Sequence, residues 1–317
     1  MAWSPPTAPP VSPQRSRHAF VPADNVWTVK AALDWTVGFL TEKNDEHPRR
    51  SAEWLLSAAT GLSRVELYAY HDRPLSPEER TTLHEGVKRR AAGEPLQYVT
   101  GEVAFRHIVV KVRPGVLIPR PETEVLVDAG LSAVDAAIAQ RGEALVVDLC
   151  TGSGCIALAI AQERPEARVL ATDLSPIAVD VAAENAARLG LEERVDVREG
   201  DLFAPLAPES RGRIDLLISN PPYVPSADVP DLPAEVAGFE PHLALDGGAD
   251  GLDVYRRILA EAQDWLVPGS GFLAIELDER RVQQAAVEAR QWYEDVRVVS
   301  DLTGRDRIVT ARLAQRP

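Results

Sequence analysis

Cysteine is nearly absent. Cys150 and Cys155 are the only two in 317 residues, too few for a disulfide framework, and the expectation is a reducing, cytoplasmic setting. No further cysteine and no histidine cluster accompanies them, so no metal site is expected, and both are read as small apolar packing groups. No apolar run approaches the ~20 residues of a membrane span. The N-terminus, rich in proline at Pro5, Pro6, Pro9, Pro10 and Pro13, has no apolar signal core. Positive charge is also short: the net charge is -14 and the pI about 5.0, which disfavours a protein that grips a nucleic-acid backbone. No internal repeat is visible.

What is present divides into parts. Residues 1–22 are proline- and serine-rich, have little to bury and are expected to be disordered. Residues 23–94 carry helical patterning. Ala31, Leu33, Trp35, Val37 and Leu40 mark one amphipathic helix, and Ala52, Leu55, Leu56 and Ala59 a second that ends at Gly61. Ser63 with Glu66 can cap a third, and Ser76-Pro77-Glu78-Glu79 starts a fourth. Residues 95–120 read as a β-hairpin linker, with strands expected at Tyr98–Gly101 and Ile108–Val112.

Residues 121–317 begin with a helix near Glu122 and then alternate. Strands are expected over 144–149, 168–172, 194–198, 214–219, 271–277, 295–300 and 306–313, with helices near 155–163, 176–189, 252–266 and 279–291. Such alternation predicts an α/β fold, a seven-stranded, mostly parallel sheet covered on both faces. The short turn at Thr303-Gly304 makes one of the last two strands antiparallel.

The chemistry concentrates at strand ends. Val146-Val147-Asp148-Leu149 runs into Cys150-Thr151-Gly152-Ser153-Gly154, a glycine turn that opens a helix. In open α/β sheets this is where a nucleoside ligand binds, since glycine lets the backbone approach it. Gly152-x-Gly154-x-x-Ala157 equally fits a dinucleotide fingerprint. Asp173, closing the second strand, can accept both hydroxyls of a ribose, and Asp201-Leu202 after the third lies where an adenine would.

The fourth strand ends in Asn220-Pro221-Pro222-Tyr223. Two prolines remove two backbone donors. The Asn220 side-chain oxygen and the Pro221 carbonyl can then accept both hydrogens of an NH2 group. An amide or aromatic amine nitrogen is a poor nucleophile because its lone pair is delocalised. Two acceptors orient it and stabilise the positive charge that builds on it during attack. Tyr223 can offer a ring face to a planar group. A dehydrogenase has no use for such a clamp.

The glycine loop with Asn220-Pro221-Pro222-Tyr223 resembles class I S-adenosylmethionine-dependent methyltransferases, a Rossmann-like fold, acting on amide and exocyclic amine nitrogens. Gly93-Glu94-Pro95-Leu96-Gln97-Tyr98, Leu117-Ile118-Pro119-Arg120-Pro121-Glu122-Thr123-Glu124 and Glu240-Pro241-His242-Leu243-Ala244-Leu245 narrow the resemblance to the peptide chain release factor glutamine methyltransferases, the PrmC/HemK family. That resemblance spans about residues 25–313. It implies S-adenosyl-L-methionine as cofactor, S-adenosyl-L-homocysteine as product, and as substrate the glutamine of the Gly-Gly-Gln loop of bacterial class I release factors, docked by the helical domain. By motif position, Cys150, Thr151, Gly152, Ser153, Gly154, Asp173, Asp201, Leu202 and Asn220 would contact the cofactor. Asn220, Pro221, Pro222 and Tyr223 would hold the glutamine, with Asn220, Pro221 and Tyr223 catalytic. Two departures stand out: Leu202 replaces a residue that is often aromatic, and Leu277-Asp278-Glu279-Arg280 follows Glu276 where Gly and Gln are common. Arg120 and Glu122 are either pocket wall or a structural ion pair. The competing readings are an adenine-N6 nucleic-acid methyltransferase, which must flip a base and grip phosphates, and a non-catalytic module that kept the fold.

Overall fold

The computed structural model describes residues 26–315; the disorder expected for residues 1–22 lies outside them. The chain divides into two compact units between Thr100 and Gly101.

The first unit is helical: α1 (Val29–Glu42), α2 (Pro48–Thr60), α3 (Arg64–Ala69), α4 (Pro77–Ala91) and α5 (Leu96–Thr100). Local chemistry sets the ends. Gly61 takes the left-handed conformation (φ 70°) that stops α2. Ser63 with Glu66, and Ser76 with Glu79, form reciprocal capping boxes at α3 and α4. Val29, Leu33 and Leu40 of α1 bury against Leu55, Leu56, Leu67 and Val87.

One expectation is overturned. Tyr98–Gly101 is not a strand: residues 96–100 form α5, with the Tyr98 and Val99 amides donating to the Pro95 carbonyl at 3.0 and 3.1 Å. The β-branched Val99 and Thr100 suggest a strand, but Pro95 starts a helical turn and Gly101, at φ 81°, ends it. The hairpin therefore begins at Glu102, four residues after the expected start. Its strands, β1 (Glu102–Phe105) and β2 (Ile108–Lys111), pair antiparallel around Arg106-His107. Phe105, Ile108 and Val110 are buried in the core of the second unit.

That unit continues with α6 (Thr123–Arg141), β3 (Ala144–Leu149), α7 (Cys155–Glu163), β4 (Ala167–Asp173), α8 (Pro176–Leu189), β5 (Val195–Glu199) and β6 (Leu216–Ser219). It ends with α9 (Ala234–Phe239), α10 (Asp253–Ala262), β7 (Phe272–Glu276), α11 (Val282–Ala289), β8 (Tyr293–Ser300) and β9 (Asp306–Leu313). The sheet order is β5-β4-β3-β6-β7-β9-β8, parallel except that β9 runs antiparallel to both neighbours. Successive residues feed opposite cores: Val146, Leu216 and Ile218 join one apolar cluster, Val147 and Leu217 the other. Burial on both faces is why these strands read as unbroken apolar runs.

From β3 the chain winds outward through β4 to β5, then returns to place β6 on the other side of β3. Strand order reverses there, and a crevice opens at the carboxyl ends of β3 and β6. Among the described residues, no helix is long and apolar enough to cross a membrane, and no group of three or more His, Cys, Asp or Glu side chains could hold a metal.

Candidate active site

The crevice is floored by the loop after β3. Cys150 (φ 59°), Gly152 (φ 58°) and Gly154 (φ 80°) are all left-handed, so the chain turns twice within five residues. The two glycines do different work. A β-carbon on Gly152 would meet nothing within 4 Å, because that side of the backbone faces the cleft. On Gly154 it would press against Ala182 of α8 at 3.1 Å, so this glycine permits close packing of α7 on α8.

Two carboxylates hold the loop. Asp148 is fully buried and accepts from the Thr151 hydroxyl (2.6 Å) and the Ala157 amide (3.2 Å); burial pushes its pKa up to about 7. Asp173 accepts from the Gly152 amide (2.8 Å) through one oxygen and the Ser175 amide (2.9 Å) through the other, and burial raises its pKa as well. Asn185 of α8 ties the loop to the hairpin, donating to the Ser153 carbonyl (2.9 Å) and the Lys111 carbonyl (3.0 Å). Burial pushes the Cys155 thiol up to about 12 and raises Cys150 too, so neither is poised as a nucleophile.

On the far side of the cleft, Leu202 is buried with φ 48°, an uncommon conformation for leucine. Its carbonyl accepts from the Thr172 hydroxyl at 2.9 Å. Asp201 beside it pairs with Arg257 of α10 at 2.7 Å.

The structure therefore brings Cys150, Gly152, Asp173, Asp201, Leu202, Asn220 and Pro222 to one cavity. Thr151, Ser153 and Gly154 are not among its lining residues: Thr151 and Ser153 are buried, and Gly154 packs on α8. A second cavity is lined by Asn220, Tyr223, Arg120, Leu232, Val236 and Asp278. The two cavities share Leu117, Asn220 and Ala244. Asn220 thus stands in the wall between them, and Pro221 is buried directly behind.

The Asn220 amide is asymmetric in its surroundings. Its Nδ2 donates to the Thr123 hydroxyl at 3.2 Å, whereas its Oδ1 is buried and has no hydrogen-bond partner. Glu276, at the end of β7, is 1% exposed. Burial raises its pKa to about 7, against a lowering hydrogen bond from Thr123 and the charges of Arg307 and Arg120. Burial and the Glu276 charge likewise raise the Tyr223 phenol, which stays protonated. Arg120 proves to be both wall and ion pair: it lines the second cavity and pairs with Glu240, whose other oxygen accepts from the Ile118 amide at 3.3 Å.

Sequence reasoning missed three contributors. Thr123 and Glu276 lie far from Asn220 along the chain; the register of β6 against β7 and the packing of α6 on those strands bring the three together. The third is the segment Leu245–Gly251, which pairs with Val224 through Val224 N to Leu245 O (2.9 Å) and Gly247 N to Val224 O (2.8 Å). A β-carbon on Gly247 would fall 2.7 Å from the Pro222 carbonyl oxygen, so a side chain there would displace the Pro-Pro-Tyr backbone. The paired glycines were a readable signal of close approach.

Family models match stretches of both units of the chain. The model of the PrmC N-terminal domain matches residues 31–101, and that of the methyltransferase small domain matches residues 123–233. The chain is 45% identical over 289 residues to the release factor glutamine methyltransferase of Geobacter sulfurreducens, covering 91% of this chain and 98% of that protein. It is 45% identical over 287 residues to the enzyme of the same name from Moorella thermoacetica, covering 90% and 98%. Among solved structures, the human Mettl16 catalytic domain in complex with MAT2A 3′UTR hairpin 6 aligns with TM-score 0.51 at 15% identity, covering 78% of this chain and 86% of that one, a likeness of fold alone. With 45% identity over about nine-tenths of its length to these enzymes, the chain is a methyltransferase and belongs to the release factor glutamine methyltransferase family.

Proposed function

We propose that this protein transfers a methyl group from S-adenosylmethionine to the side-chain amide nitrogen of the glutamine in the Gly-Gly-Gln loop of bacterial class I peptide chain release factors, acting in the cytoplasm in support of translation termination. The observation that carries this reading is the Asn220 Oδ1 atom: a buried acceptor without a partner, in the wall shared by two cavities. A buried acceptor left unmatched is costly, and an incoming N–H relieves that cost.

The first cavity fits the cofactor by its donor and acceptor set. Asp173 has one backbone donor on each oxygen and keeps lone pairs for two ribose hydroxyls. Gly152 leaves open space where a side chain would intrude. Leu202 gives an apolar wall for a base, in place of an aromatic ring, and Asp201 lies at its edge. S-adenosylmethionine, when bound, supplies an electrophilic sulfonium methyl.

The second cavity takes the glutamine. The Asn220 Oδ1 and the carbonyl of the adjoining Pro221 accept the two amide hydrogens; Tyr223 walls the planar group in this cavity, and Pro222 borders it from the side of the first. This orients the nitrogen lone pair toward the first cavity and stabilises the positive charge that forms there. No strong base is needed beforehand, since the proton leaves after transfer. The helical unit selects the release factor. With a net charge of -14 the partner is a protein rather than a nucleic acid.

Incubation with methyl-labelled S-adenosylmethionine and either a class I release factor or duplex DNA tests the reading. Label is expected on the release-factor glutamine; label on DNA alone would sink it. Asn220→Ala is expected to lose most turnover while still binding the cofactor.

A further inference from the structure

Thr123, Asn220 and Glu276 come from three elements: the first residue of α6, the residue after β6 and the last residue of β7. The parallel register sets Ser219 opposite Ile275, so Asn220 and Glu276 leave neighbouring strands side by side. Thr123 and Glu276 are 2% and 1% exposed, so both are shielded from bulk water.

The three are placed to form a directional chain. Asn220 Nδ2 donates to the Thr123 hydroxyl at 3.2 Å, and Glu276 holds a buried carboxylate oxygen, Oε2, with no hydrogen-bond partner, an acceptor for that hydroxyl's own proton. A threonine hydroxyl has one proton to donate. Given to Glu276, it leaves the oxygen able only to accept, so the Asn220 end that faces it must be the NH2. The amide is thereby pinned with Oδ1 turned away from Thr123, and Oδ1 is the buried atom without a partner. The two ends of an amide are nearly equal in shape. Freed from the chain, the group can turn over and present a donor to an incoming NH2.

We propose that Thr123 and Glu276 are positioning residues that fix which way the Asn220 amide faces, so that an acceptor meets the substrate nitrogen. This role rests on the reading of Asn220 as the substrate's acceptor. Neither residue touches the reacting atoms; both act through Asn220.

The test compares wild type with Thr123→Val, Thr123→Ser, Glu276→Leu and the Thr123→Val/Glu276→Leu double variant. Turnover on a class I release factor is measured at saturating substrates, and S-adenosylmethionine affinity by calorimetry. Thr123→Val keeps the side-chain shape but loses the hydroxyl; kcat is expected to fall about ten- to a hundredfold, the effect of one lost charge-assisted hydrogen bond. Cofactor affinity is expected to stay near wild type. Thr123→Ser, which keeps the hydroxyl, restores most of the rate. Glu276→Leu releases the Thr123 proton toward Asn220 and costs a similar factor. The double variant is no slower than the slower single one, because both break the same chain. Wild-type kcat in Thr123→Val, or losses that multiply in the double variant, would overturn the proposal. If Thr123→Val loses cofactor binding as well, the fold has been disturbed, and Glu276→Leu decides: wild-type kcat there overturns the proposal. A wild-type protein that does not label the release factor removes the parent reading; one that labels it while Thr123→Val keeps pace removes only this inference.

Discussion

A β-carbon on Gly251 would lie 2.3 Å from the carbonyl oxygen of Tyr223. Gly251 also has φ 80°, a conformation that side chains resist. The glycine therefore sets the height of the Asn-Pro-Pro-Tyr loop above the sheet. Gly251→Ala must push Tyr223 outward, and a displacement of about 1 Å at a positioning loop can cost about a hundredfold in rate. We expect kcat on the release factor to fall by that order in steady-state assays. Cofactor affinity should be largely kept, since Gly251 does not line the first cavity.

Asp201 and Arg257 make a different kind of prediction. Both are about half exposed, at 48% and 49% for the side chains, so their pairing adds little to stability. Their position matters more: both line the first cavity, and Asp201 precedes the strained Leu202. Arg257→Ala is expected to leave the melting temperature nearly unchanged. It should weaken S-adenosylmethionine binding about fivefold, equivalent to ~1 kcal/mol. A large drop in melting temperature with unchanged affinity would assign the pair to the fold instead.

The helical unit has its own buried charge. Glu53 is 3% exposed and accepts from Arg64 Nε at 2.9 Å, Arg49 Nε at 3.3 Å and the Tyr68 hydroxyl. Burial raises its pKa, but the bonds from Tyr68 and Arg64 outweigh burial and hold it below the ordinary value. Its stabilising effect is thus present at neutral pH and lost as pH falls through the depressed pKa. Glu53→Ala leaves the two arginines, which are mostly exposed and regain water, so the cost is about 1–3 kcal/mol. Faster native-state hydrogen exchange of α2 amides, with β3 amides unaffected, checks it.

Much of this architecture could be read before any coordinates. The ends of α7, α8 and β9 fall where the caps and turns at Gly154, Ser175-Pro176 and Thr303-Gly304 place them. Local rules work there because the deciding chemistry lies within four residues. They fail at residues 98–101, where β-branched side chains pointed one way and the turn begun by Pro95 won. The individual site motifs were legible because each sits at a strand end. Their mutual arrangement was not. The Asn220–Thr123–Glu276 chain depends on β6 and β7 being neighbours, and the tight seat of Tyr223 depends on a loop that returns to it after α9. Sheet order and loop return are tertiary facts with no local signature.

The buried Glu276 carboxyl gives opposite pH trends for rate and stability. Burial raises its pKa to about 7 from an ordinary 4.5. Arg307 and Arg120 favour the charged form and Glu122 opposes it, while Tyr223 and Cys155, also facing it, stay neutral. A carboxyl whose pKa is raised by folding stabilises the protein below the unfolded value, and that contribution fades as pH rises through about 7. Asp148, also raised to about 7, acts in the same direction. Orientation of Asn220 requires the opposite state, because only the carboxylate is certain to take the Thr123 proton. Turnover at saturating substrates is therefore expected to rise through pH about 7, while the unfolding midpoint in urea declines as pH rises from about 4.5 to about 7 and levels off above it. Glu276→Gln should lower kcat, flatten its rise and leave the part of the stability slope that belongs to Asp148. If the rate still rises through pH 7 in Glu276→Gln, its titrating group is not Glu276.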